Sequence, residues 1–234
     1  MLNFILLQAS AAVDTLSLAQ NTQGKPTMNV FDMAVKGGWI MIPILLLSFI
    51  AVFIFIDRYR VIKKAEKVDH SLMDNVKATI LKGQIDTAVA LTKSQNTPIA
   101  RMIEKGITRI GRPMADINTA IEMVGNLEIS KLEKGLPILA SVAGGAPMIG
   151  FLGTVTGMVR AFFNMASAGN SVDINILSAG IYEAMVTTIA GLIVGIIAYF
   201  AYNYLVARIE NIVFNMEAAT SEFLDLLNEP AKKL

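Results

Sequence analysis

Three long apolar stretches decide what this 234-residue chain can fold into. They cover residues 39–56, 136–163 and 179–206, and each is long enough to cross a hydrocarbon layer of about 30 Å at 1.5 Å per helical residue. In lipid every backbone N–H and C=O must find its partner inside the chain, so each stretch is read as a helix. Composition agrees. Hydrophobic residues make up 54% of the chain and charged residues only 17%, whereas soluble domains carry about a quarter charged residues. The fold class is therefore an all-α membrane protein with three transmembrane helices. Trp39 marks one end of the first span as an interfacial anchor.

Lysine and arginine orient the spans. Of the 20 in the chain, 14 lie in residues 57–135 and 3 follow Val206, while Lys25 and Lys36 alone precede the first span. Arg160 lies near the far end of the second span. The positive-inside rule then places 57–135 and the 207–234 tail in the cytoplasm. The 1–38 segment and the 164–178 loop face the other side of the membrane. The first 20 residues resemble a signal peptide only faintly, because no positive charge precedes the apolar run and residues 9–12 form a poor cleavage site. The preferred reading is an amphipathic helix on the outer leaflet followed by a polar linker at residues 21–27.

Residues 57–135 read as helices throughout. Asp57-Arg58-Tyr59-Arg60 continues the first span, and Lys63, Lys64 and Lys67 behind it suit either anionic lipid heads or open solvent. Asp86, Ala88, Val89 and Leu91 mark a short helix after a break at Gly83, and Pro98 opens another that runs to Gly111-Arg112-Pro113. From Met114, Ile117, Ile121, Val124, Leu127 and Leu132 recur at helical spacing, which predicts a helix continuing into the second span. In the tail, Ile209, Ile212, Met216, Phe223 and Leu226 predict that the third span projects as one long helix. Its apolar stripe needs a partner.

Several function classes fall away. Net charge is +1, so no global field invites nucleic acid. Without cysteine, and with His70 as the one histidine, there is no thiolate or histidine cluster for a metal and no acid–base pair for an enzyme. No Gly-rich phosphate loop is present. No cofactor is expected.

The chemistry is concentrated in the second and third spans. With Thr154 at zero and 100° per residue, Gly150, Gly153, Gly157 and Ala161 fall between about −20° and −100°. Gly153 and Gly157 form a small-xxx-small pair that admits another backbone. On the third span, with Glu183 at zero, Thr187, Gly180, Gly191, Ala184, Gly195 and Thr188 fill an arc of about 140°. Glu183 is the one carboxylate within an apolar span, where burial is costly. It reads either as a pore-facing proton carrier or as a carboxylate reaching the outer interface and paired with Arg160. A proton path needs a group that gains and loses a proton, plus hydroxyls that order water. Glu183, Thr154, Thr188 and Thr187 supply that set, and Gly150, Gly153, Gly157, Gly191 and Gly195 supply close helix packing. Three helices cannot readily enclose a pore, so polar faces are expected to meet across copies in a ring. A passive scaffold around a partner helix is the competing reading.

Two segments resemble signatures of the TolQ/ExbB proton-channel family, related to the flagellar stator protein MotA. They are Gly150-Phe151-Leu152-Gly153-Thr154-Val155-Thr156-Gly157, and Gly180-Ile181-Tyr182-Glu183-Ala184-Met185-Val186-Thr187-Thr188-Ile189-Ala190-Gly191-Leu192. The likeness covers most of the chain. It implies a homo-pentamer in the bacterial inner membrane, with a single-span ExbD- or TolR-like protein in its pore and a TonB-like protein as recipient of the energy. The family's functional threonines fall on Thr154 and Thr188 and its glutamate on Glu183. Thr156 stands where a bulky aromatic is common, and Ala179 and Ile197 stand where prolines are common. The N-terminal extension favours the ExbB branch over TolQ, and three spans rather than four disfavour the MotA branch.

Overall fold

The computed structural model describes residues 37–67, 71–167 and 174–228. The expected N-terminal amphipathic helix and polar linker, His70, and the centre of the expected 164–178 loop lie outside the described residues. Seven helices and no strand occur among the described residues: α1 Met41–Ala65, α2 Ser71–Leu81, α3 Ile85–Ser94, α4 Pro98–Ile107, α5 Met114–Glu133, α6 Leu136–Ser167 and α7 Ile174–Asn228. Three helical runs are long and apolar enough to cross a membrane, and each overlaps one of the three apolar stretches. Their uncharged stretches are residues 37–56, 136–159 and 184–207. Large apolar side chains such as Phe49, Phe53, Phe162, Ile196 and Phe200 point outward from all three. A water-soluble monomer rarely exposes so much apolar surface.

The long helical tail is as the periodicity predicts: α7 runs for 55 residues without a break. The passage from α5 into the second span is different. It is not continuous, because α5 ends at Glu133 and Gly135 adopts a left-handed φ of 88° before α6 begins. Helical spacing persists across the break, so periodicity alone could not reveal it. Gly135 is the residue that tolerates this backbone conformation without strain. α4 is also shorter than expected and closes at Ile107. Thr97 caps it by accepting the Ala100 N–H, with Pro98 in the first turn, where no N–H is needed.

A large apolar core runs from Ala51 between the spans to Phe223 near the end of α7, and a second, smaller cluster of Ile40, Met41 and Ile44 lies at the start of α1. In the extramembrane bundle, Ile103, Ile107, Ile117, Ile121, Met216 and Phe223 are buried in one core, and the Phe223 ring lies against Gly106. Burial of each such side chain away from water stabilises by roughly 1.5–3 kcal/mol. The bundle therefore supplies the partner that the apolar stripe of α7 requires.

A buried charge cluster locks α4 to α5. Glu128 is 3% exposed. Its carboxylate accepts hydrogen bonds from Arg101 Nη2 at 2.6 Å and Lys131 Nζ at 2.7 Å. Burial pushes its pKa up, but the two bonds and the charges behind them outweigh burial, and it titrates below the ordinary 4.5. A carboxylate with a depressed folded pKa stabilises fully above its unfolded pKa, and that stability fades as pH falls through the folded value. The bundle is thus expected to lose stability as pH drops from about 4.5 downward. Glu128→Gln should flatten that loss and cost on the order of 2 kcal/mol at neutral pH. That is less than for breaking a fully buried pair, because Arg101 and Lys131 stay partly hydrated. Thermal melts in detergent at pH 7 and pH 4 check both statements.

Candidate functional site

The second and third spans meet along their small-residue arcs. Neither helix gains much from the hydrophobic effect in lipid, so close backbone approach and hydrogen bonds must hold them together. Gly150, Gly153 and Gly157 of α6 and Gly191 and Gly195 of α7 are all buried in this seam. A side chain at Gly150 would meet the Thr187 carbonyl oxygen at 2.9 Å, and one at Gly191 would meet the Ala146 carbonyl oxygen at 2.5 Å. Gly153 receives the side chain of Thr187, and Gly157 lies against Ala184. Gly195 receives the ring of Pro147, a proline inside α6. Lacking an N–H, Pro147 leaves the Ala143 carbonyl without its usual helical donor, and that carbonyl also faces Gly195.

The arcs that were expected to face a shared axis between copies are therefore occupied largely within one chain. A helical wheel shows which side of a helix is bare but not which helix comes to it. The short α6–α7 connection makes the nearest helix the chain's own.

The threonines take three positions. Thr187 is 1% exposed and faces the seam rather than an open wall. Its hydroxyl donates to Ala184 O at 2.8 Å, so it packs where it was grouped with pore-lining residues. Thr188 is half-buried and donates across the seam to Gly150 O at 2.9 Å. Thr154 is also half-buried, but its hydroxyl turns back to Phe151 O at 2.6 Å. A donating hydroxyl keeps its lone pairs, so Thr154 and Thr188 can still accept from water.

Glu183 lies at the end of the seam. It is the last charge before the uncharged part of α7, and Arg160 is the first after that of α6. The antiparallel hairpin therefore brings both to one level, and Arg160 Nη1 lies 3.5 Å from Glu183 Oε1. A third element closes on the carboxylate. Gly38, in the turn before α1, has φ 67°, and a side chain there would collide with Glu183. Glu183, Arg160 and Gly38 thus form a three-helix corner, in which the carboxylate is about a quarter exposed at 28%. Sequence reasoning identified two of the three. Gly38 was missed, although the Gly37-Gly38 pair just before an apolar run was a usable sign.

This arrangement defines a class: a multi-pass helical membrane protein whose second and third spans form a glycine-packed hairpin carrying hydroxyls and one acid. Residues 94–218 match the MotA/TolQ/ExbB proton channel family, and the chain belongs to that family. It is 28% identical over 188 residues to an ExbB-like biopolymer transport protein of Synechocystis sp., covering 77% of this chain and 72% of that one. It is 26% identical to an ExbB homolog of Methanothermobacter thermautotrophicus, over 82% of this chain and 70% of that one. It is also 36% identical over 112 residues to the Tol-Pal system protein TolQ of Haemophilus influenzae, covering 48% and 49% of the two chains. Membership, together with three helices long and apolar enough to cross a membrane, makes it a multi-pass membrane subunit of the proton-channel kind.

Proposed function

We propose that this chain is the ring-forming subunit of an ExbB-like motor driven by the proton-motive force, which energises TonB-dependent transport at the outer membrane. The observation that carries the reading is the hairpin: family membership over 94–218 together with a carboxylate at the mouth of a hydroxyl-bearing seam. Five copies would enclose a pore, with a single-span ExbD- or TolR-like protein inside and a TonB-like protein receiving the work. The N-terminus would be periplasmic and the C-terminus cytoplasmic, following the lysine and arginine distribution. In this reading Glu183 passes protons while Thr154 and Thr188 order water.

The matches to TolQ proteins support a second reading, a subunit serving the Tol-Pal envelope system. The longer coverage by ExbB-like relatives favours the first. Native mass spectrometry of the chain co-expressed with its neighbouring genes tests the assembly. A pentamer carrying a small single-span companion is expected, and a companion-free monomer would remove the proposal. Deletion separates the branches. Loss of energised outer-membrane uptake with an intact envelope supports the ExbB role, and envelope leakage with normal uptake supports the TolQ role.

A further inference from the structure

A groove outside the proton seam has the lining of a phospholipid site. It lies between α1 and α7 and encloses about 370 Å³. Ser48, Val52 and Phe55 form one wall, and Val194, Ile197 and Ala201 form the other. Both helices lie within their uncharged stretches here, so this lining is at the depth of acyl chains.

The groove ends in a polar step that is the same on both walls. On α1, Phe55 is followed four residues later by Tyr59 and four later again by Lys63. On α7, Ala201 leads to Tyr204 and then to Arg208. Residues three and four apart share a helix face. Each wall therefore runs from apolar to tyrosine to cation, in the same direction and at matching levels. The rings meet across the groove. Tyr59 and Tyr204 have centroids 6.4 Å apart and planes 26° apart, and Phe55 stacks on Tyr59 at 6.0 Å. Arg208 lies 5.2 Å from the Tyr204 ring centre and 5.8 Å from that of Tyr59. Lys63 Nζ lies 5.8 Å from the Tyr59 ring centre.

Among the described residues, one carboxylate faces this end. Glu66 accepts from Arg208 Nη1 at 2.5 Å. Lys63 is exposed, and no described carboxylate pairs with it. Two cations against one anion leave a positive charge directly below an apolar slot. A chain, an amphipathic belt and a phosphate follow in that order along a phospholipid, and tyrosine is favoured at the belt level. A neutral groove would take any lipid, or a helix of another copy. The charge at its end selects an anionic head.

We propose that the α1–α7 groove binds one anionic phospholipid, its acyl chain against Phe55 and Ala201 and its phosphate held by Lys63 and Arg208. The lipid belongs to the leaflet on the side of the helical bundle. The site uses none of Glu183, Thr154 or Thr188, so it stands whether or not those residues carry protons.

Native mass spectrometry of the full chain tests it, with phosphatidylglycerol and phosphatidylcholine of identical acyl chains added in turn. Phosphatidylglycerol adducts should be retained about fivefold better, the factor expected for one unpaired basic side chain near a lipid head. Lys63→Gln with Arg208→Gln should erase the preference. Lys63→Glu, on an exposed side chain outside the seam, should erase it as well. Ala201→Trp fills the slot and should remove both adducts. Lys82→Gln with Arg112→Gln, distant cations, should change nothing. Equal retention of the two lipids by the unmodified chain overturns the proposal. So does unaltered retention in Ala201→Trp, or a photo-crosslink from position 201 that captures a second copy rather than lipid.

Discussion

Gly191→Leu is expected to push the second and third spans apart and destabilise the protein strongly. The argument is geometric. A Cβ at Gly191 would stand 2.5 Å from Ala146 O, 3.0 Å from Gly150 Cα and 3.2 Å from Gly150 N. All three are backbone atoms, so no rotamer change clears them. The helices must move apart. Doing so lengthens the Thr188–Gly150 hydrogen bond and withdraws Thr187 from the space beside Gly153. Overpacking a well-formed core costs about 1–3 kcal/mol when side chains can yield. Backbone against backbone belongs at or beyond the upper end, so a loss of ~3 kcal/mol or more is expected. For a chain of this size that lowers a melting midpoint by roughly 10 °C. Gly144→Leu is the matched control, since a Cβ at Gly144 meets nothing within 4 Å. Detergent melts of both variants check the contrast. Equal midpoints would mean that the seam does not hold the hairpin together.

The same geometry explains what was legible in the sequence. The spans and the single long α7 were readable because hydropathy and periodicity are local properties of a helix. The glycines were readable as close-approach positions because bare arcs have few other uses in a membrane. What came close to them was not readable. Gly150 and Gly191 fit each other within one chain, and no wheel drawn on a single helix contains that fact. Thr187 shows the limit most clearly. It differs from Thr188 by 100° of rotation, yet one is sealed in the seam and the other half-open. Gly135 shows another limit. Apolar spacing carries on through it, but its left-handed backbone breaks α5 from α6. Gly38 and Pro147 act through tertiary contacts with Glu183 and Gly195, which are 145 and 48 positions away. Sequence pattern alone gives no such pairings.

Glu183→Gln should abolish proton-driven work while leaving the protein assembled. Glutamine keeps the shape of the side chain and its place beside Gly38, but it cannot take up or release a proton. Removing a positioned proton-transfer group slows a step by roughly 100-fold or more, and a loss of that order is expected in proton uptake by co-reconstituted vesicles. Glu183→Asp retains the titrating group on a shorter stem and should keep part of the activity. Arg160→Gln separates the two readings of the corner. If Glu183 serves only as the partner of Arg160 at 3.5 Å, removing either charge breaks the same pair and the two variants should fail alike. If Glu183 carries protons, Arg160→Gln should be much the milder change. Arg160 is more than half exposed, and a surface ion pair contributes only about 0–1 kcal/mol to stability. Thr188→Val should fall between these variants. It removes the donor to Gly150 O, at a cost of about 1 kcal/mol, and takes one hydroxyl from any water chain beside it. Normal proton uptake in Glu183→Gln, at unchanged protein levels, would leave the corner a structural clasp and the chain a scaffold for its partner.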